Sequence, residues 1–265
     1  MNFMNNNSSV KFKSFLMQFG FLIATIITLF FNGLATFSNL GGASTKQISD
    51  KFFTILTPAG FTFSIWSVIY LGLLIIGIGI ALKKIQITSK ALAYYTGSAI
   101  ANCAWIIVWQ YLYPAPAAIL LFILVYLNAR TYLELKKSNS GYLRMGVTSL
   151  YLVYLGWSIV ASLINATVLF KYVLNVGNLG INEGIWGVVL IVSAFIINTF
   201  ISDKEQNPTT IIVFWWALLG IKTSQSNTTL IYWIEILRFP IIMTIVFTAS
   251  KYHEAKTKLP TKKAS

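Results

Sequence analysis

The chain has 265 residues, 56% of them hydrophobic and only 10% charged, where an ordinary soluble domain carries roughly 25% charged residues. That composition excludes a soluble globular protein and points to an all-α, polytopic transmembrane helical bundle. The formal net charge is +13, but the basic residues fall in the breaks between apolar runs, so they read as membrane topology and attraction to anionic head groups; no nucleic-acid partner is expected.

Crossing a bilayer takes about 20 mostly apolar residues. Such runs fall near 15–36, 60–82, 91–113, 116–136, 145–170, 184–201, 208–224 and 228–250, about eight helices, with the sixth and seventh the shortest. Residues 1–14 are a polar leader ahead of the first run, and residues 251–265 a lysine-rich tail. Lys11 and Lys13 stand where a signal peptide has its basic region. The apolar run from Phe15 to Thr36 is nevertheless longer than a signal core of about 7–15 residues, and no small-residue cleavage site ends it, so the first run is expected to be retained. With both termini cytoplasmic and eight spans, that side receives Lys83, Lys84, Lys90, Lys136, Lys137, Arg144, Lys204 and the tail lysines, while the other receives only Lys46, Lys51, Lys171 and Lys222. This asymmetry predicts a multi-pass protein of a plasma or inner membrane, with the lipid bilayer as its first partner.

Between the first two runs lies a loop, "FSNLGGASTKQISDKFFTILTPAG", too long for a turn and expected to be an ordered cap. Pro58 near its end biases Thr57 away from helical geometry and suits a helix start. The connection "YPAPAA" is so tight that the third and fourth helices must form an antiparallel hairpin. Beyond Phe170 a polar, Gly- and Asn-rich loop separates three further helices, residues 171–250, from the first five, residues 15–170. No internal repeat of the transporter kind is visible.

Catalytic constellations are missing. The single histidine, His253, lies in the tail, and the single cysteine, Cys103, excludes an internal disulfide. No phosphate loop is present, so no catalytic residue, no metal ligand and no required cofactor emerge. Two groups remain. Glu235 and Arg238 lie three apart near the middle of the last run, on one helix face where they can pair; a charge at that depth marks either a functional site or a buried pair that fixes helix orientation. Arg130 and Glu134, four apart, also match an i,i+4 pair, but they sit near the cytoplasmic end of the fourth helix, where snorkelling and topology explain them. The second group is aromatic and amide-rich: Trp66 with Tyr70, Asn102 with Trp105 and Trp109, and Tyr154 with Trp157, Ala161 and Asn165 each share a helical face. Trp and Tyr are ordinary interface anchors and amides can bridge helices, but an unpaired amide in hydrocarbon costs a few kcal/mol. Together the two sets also describe a pocket for a flat, largely apolar small molecule.

The segment "LTPAGFTFSIWSVIY" resembles the Pro-Pro-Gly-Trp-x-Phe-x-x-x-Trp-x-x-x-Tyr motif of the translocator family of tryptophan-rich sensory proteins (TspO/MBR). "NCAWIIVWQYLYPAPAAILLFILVYLNA" resembles that family's third helix and hairpin, and "VYLGWSIVASLIN" its fifth-helix motif. The resemblance implies a five-helix bundle with a pocket, capped by the first loop, for porphyrins and other aromatic ligands. Carried over by motif, Pro58, Gly60, Phe63, Trp66 and Tyr70 would serve the pocket from the second helix, Asn102 and Trp105 from the third, and Tyr154, Trp157, Ala161 and Asn165 from the fifth. Ala59, Phe61, Val153 and Val160 depart from the motifs, and the three extra helices lie outside the five-helix pattern, which marks an extended, divergent member. Those helices have three readings: cover of a homodimer surface, a second site at Glu235 and Arg238, or completion of the pocket.

The expectation is therefore a sensor or carrier that binds a hydrophobic aromatic or tetrapyrrole-like ligand, such as a porphyrin or haem, within the membrane. Two rivals stand beside it: a secondary transporter of a small charged or amphipathic solute working through Arg238 and Glu235, and a structural subunit with no ligand.

Overall fold

The computed structural model describes residues 2–37, 40–176 and 182–258, with side chains from Val10 onward. Every regular element among these residues is helical. In chain order they are α1 (Asn2–Thr36), the short α2 (Thr45–Lys51), a 3-10 turn (Gly60–Ser64) leading into α3 (Ile65–Ala81), α4 (Ser89–Gln110), α5 (Pro114–Ser138), α6 (Gly141–Val168) with a π turn at its end (Leu169–Val173), α7 (Glu183–Glu205), α8 (Thr209–Ser224) and α9 (Thr228–Thr257). Seven spans are long and apolar enough to cross a membrane, and α8 is a shorter eighth. The expected eight-helix polytopic bundle is the fold.

Local chemistry sets the helix starts. Ser44 and Gln47 form a reciprocal capping box that opens α2 inside the long first loop, which satisfies two amides that would otherwise lack partners. The Thr88 and Asn227 side chains accept from Ala91 N and Leu230 N to start α4 and α9, and Pro114 begins α5. The expected hairpin is present: only Tyr111–Tyr113 separate α4 from α5, and the turn closes through Leu112 at φ 62°.

α6 is the axis. Of its most apolar stretch 78% is buried, against 22% for α1 and α9, because α3, α5, α7 and α8 all pack on it. At 16 residues α8 is about 24 Å long, short of a hydrocarbon core about 30 Å thick. It need not meet lipid along its length, since Ile211, Ala217 and Leu218 are fully buried. It reaches α6 at Gly156, where a Cβ would stand 3.3 Å from Thr210 Cα and Val213 Cβ. Small residues at such crossings let helix backbones approach closely.

The two polar ends, too poor in apolar residues to fold by themselves, are helical among the described residues. The polar leader does not precede the first helix but is wound into it, since α1 begins at Asn2; extending a helix that an apolar span has already nucleated costs little. The tail likewise stays helical through Thr257. Arg130 and Glu134 take separate partners near their helix end: Arg130 donates to Tyr94 Oη at 3.3 Å and lies over that ring, while Glu134 takes Lys137 at 3.1 Å.

The helices alternate in direction, so one end of the bundle carries the turns at 82–88, 139–140 and 206–208, together with the end of α9. Lys83, Lys84, Lys136, Lys137, Arg144, Lys204 and Lys251 gather there. The opposite end carries α2 and the long loop.

Candidate ligand-binding site

Trp66 is the hub of an aromatic cluster near the α2 end. Its ring stacks on Tyr70 at 5.6 Å and on Trp105 at 5.9 Å, and it meets Tyr154 and Trp157 edge-on at 6.4 and 6.1 Å. Phe63 reaches Trp157 at 6.5 Å and Trp105 stacks on Trp109 at 6.3 Å. Residues that the spacing pattern placed on single faces of three helices therefore converge on one place.

Two adjoining cavities flank this cluster. The larger, about 520 Å³, lies between α1, α3 and α4 under α2, with Leu29, Asn32, Thr45, Phe63, Tyr70 and Trp105 among its walls. Thr36, Ser64 and Ser67 on its rim are exposed, which sets its mouth on the α1–α3 side. The smaller, about 30 Å³, lies toward α6 between Pro58, Trp157, Ala161 and Asn165. Both are lined by Thr45, Phe63, Trp66 and Trp105, so these side chains form the partition between them.

Polar groups in the walls and just behind them are incompletely paired. Asn102 Oδ1 accepts from Asn32 Nδ2 at 2.9 Å, and Asn165 Nδ2 donates to Ala161 O at 3.2 Å. The Tyr70 hydroxyl, Asn102 Nδ2, Trp105 Nε1, Trp157 Nε1 and Asn165 Oδ1 are all buried and have no hydrogen-bond partner. Each such group costs about 1–3 kcal/mol. Five of them around one aromatic cluster, four able to donate and one to accept, are what a site contributing polar contacts to a ligand contains.

A family model described as TSPO-like protein matches residues 18–249. This chain belongs to the TSPO-like protein family. No curated protein and no solved structure gives a match. The match extends beyond the first five helices and through most of α9, so in this TSPO-like protein the last three helices fall within the family match.

Most of the family-motif residues meet at the cavities. Pro58, Phe63, Trp66, Tyr70, Trp105, Trp157, Ala161 and Asn165 line one or both. Tyr154 stands behind Trp66, and Asn102 behind Asn32. Gly60 does not line either cavity; it is exposed beside the Lys46 stem, 3.6 Å from where its Cβ would be. Phe61 packs edge-on against Trp216 at 5.2 Å, outside the cavities. Sequence reasoning missed the α1 wall altogether: Leu29, Asn32, Gly33 and Thr36. Asn32 alone had a readable signal, a lone amide in an apolar run.

Glu235 and Arg238 pair as expected, at 3.6 Å, and Glu235 also holds Lys222 of α8. Arg238 is exposed, its side chain to 60%, and Glu235 is half-buried beside α8; neither reaches the aromatic cluster. Arg238 stands ten residues from the start of α9, whose last turns carry the lysine-rich tail.

The extra helices instead brace the loop ahead of α3. Gln225 Nε2 donates to Thr54 O and Thr57 O at 3.1 and 3.0 Å, Ala59 N to Gly220 O at 2.9 Å, and Trp216 Nε1 to Thr62 O at 3.1 Å. Glu183 accepts from Ile55 N at 3.2 Å. These contacts hold the pocket wall that carries Pro58 and Phe63 from outside, while none of the residues lining either cavity comes from α7–α9 among the described residues.

Proposed function

We propose that this integral membrane protein binds a flat, largely apolar aromatic ligand, tetrapyrrole-like in outline and bearing hydrogen-bond acceptors at its edge, and acts as a sensor or carrier for it. What supports the reading is the coincidence of stacked indole walls with the five unpartnered polar atoms of Tyr70, Asn102, Trp105, Trp157 and Asn165. Indole and phenol faces supply stacking area, and the free donors select acceptor groups. Among the described residues the cavity walls include no imidazole, thiolate or thioether side chain, so holding would rest on stacking and hydrogen bonds and would suit a metal-free porphyrin at least as well as haem. A mouth on the α1–α3 side suits a ligand that arrives from the lipid. In this reading the lysine-rich end is cytoplasmic, as the positive-inside rule requires.

The test is a titration of purified protein with protoporphyrin, read from the absorbance and emission of the porphyrin itself. Saturable binding is expected, weakened about tenfold or more, roughly 1.4 kcal/mol, by Trp66→Ala and by Asn102→Ala. Saturable binding that ignores both substitutions rejects this pocket.

A further inference from the structure

The opposite, lysine-rich end holds a second cleft, about 220 Å³, where α5, α6, the α7–α8 turn and α9 meet. It combines helices from both parts of the chain, and neither the aromatic cluster nor the braced loop contributes to it. Its walls bring Lys136, Arg144 and Lys204 together with one carboxylate, Glu205.

That carboxylate is committed. Glu205 accepts from the Tyr132 hydroxyl and pairs with Lys136. Nearby Asp203 and Glu254 are held by Lys251 and Lys258. Among the described residues no carboxylate lies within ion-pair distance of Arg144 or Lys204. The Lys204 ammonium lies over the Phe200 ring at 5.7 Å. The cleft thus presents two uncompensated cations.

Its depth is set by the aromatics beside it. Phe200 and Phe247 each precede a lysine of this region by four residues, and both are exposed on the lipid-facing surface, 63% and 55%. Lys251 lies over Phe247 at 4.1 Å. Lysines stacked above lipid-facing rings mark the head-group layer, and basic pockets between transmembrane helices are suited to phosphate-bearing head groups.

We infer that this cleft is an anion site for a phosphate group, held by Arg144 and Lys204, whether that phosphate belongs to an anionic phospholipid or to a soluble phosphate ester. Arginine meets phosphate with two parallel N–H donors and lysine adds a point charge. The site stands apart from the aromatic pocket, so its failure would leave the proposed function untouched.

The test uses the full-length protein in an uncharged detergent, with the thermal unfolding midpoint as readout. Phosphatidylglycerol is expected to raise the midpoint by several degrees and phosphatidylcholine not to. The double variant Arg144→Gln, Lys204→Gln is expected to lose the rise while unfolding near the parental midpoint without lipid, because Arg144 and Lys204 are exposed. A control, Lys83→Gln with Lys84→Gln on the same end, is expected to keep it. If glycerol 3-phosphate alone reproduces the rise and the double variant abolishes it, the ligand is a soluble phosphate; if only the lipid does, it is a head group. A double variant that responds like the parent, or a parent that responds to neither compound, overturns the inference.

Discussion

Asn102, Asn128 and Asn165 are buried amides on transmembrane helices, and they divide by what they touch. Asn128 is fully used, donating to Ser158 Oγ at 2.9 Å and accepting from the Tyr151 hydroxyl at 3.0 Å. Asn165 leaves its carbonyl oxygen unpaired beside the smaller cavity. Replacing a paired buried amide strands its partners, whereas replacing one with an idle atom removes a desolvation cost, and each effect is worth about 1–3 kcal/mol. Asn128→Leu should therefore lower the unfolding midpoint, while Asn165→Leu should leave it unchanged or raise it and weaken protoporphyrin binding. Thermal unfolding beside the titration separates these outcomes, and equal destabilisation by both would make Asn165 a packing residue. Spacing alone exposed Asn102 and Asn165, because each has aromatic residues on its own helical face. It could not expose Asn32, whose role comes from a contact across 70 residues of chain, nor tell Asn128 from an idle amide.

At the scale of elements, α8 is the helix whose length and role disagree most with a simple membrane span. Its short apolar run was legible in the sequence, but its purpose was not, since backbone bonds to a loop more than 150 residues earlier leave no periodicity. Two substitutions test the brace. A Cβ at Gly220 would stand 1.8 Å from Thr62 Oγ1, so Gly220→Ala must push the 3-10 turn away from α8 and break the bond from Ala59 N to Gly220 O. Gln225→Ala removes both side-chain bonds to Thr54 and Thr57 and leaves α8 undistorted. Each should speed amide exchange over residues 54–62 and weaken protoporphyrin binding, with the larger effect at Gly220. Exchange in this loop that matches the parent would mean the brace contributes nothing to the order of the pocket wall. The same contacts explain why Pro58 was readable as the herald of a helix while the loop around it was not: proline restricts its own backbone, but the loop's shape is imposed from outside.

For the whole molecule, the division into five helices and three reflects where the motifs lie and not how the chain packs. α6 has the aromatic cluster on one side and α8 on another, so removing α7–α9 would expose Gly156, Val160 and their neighbours and leave the Thr57 carbonyl and the Ala59 amide without the partners that Gln225 and Gly220 give them. Each backbone group left unpaired costs about 1–3 kcal/mol, and two of them, with the apolar surface uncovered on α6, are a large share of the roughly 5–15 kcal/mol of net stability typical of a folded protein. A chain ending at Leu174 should therefore be poorly folded, or bind protoporphyrin far more weakly than the full chain. Co-expressing residues 175–265 as a separate chain should restore binding, because the brace acts through side-chain and backbone contacts and not through the covalent link. A five-helix fragment that is monodisperse and binds as tightly as the full chain would show that the last three helices serve some purpose other than the pocket.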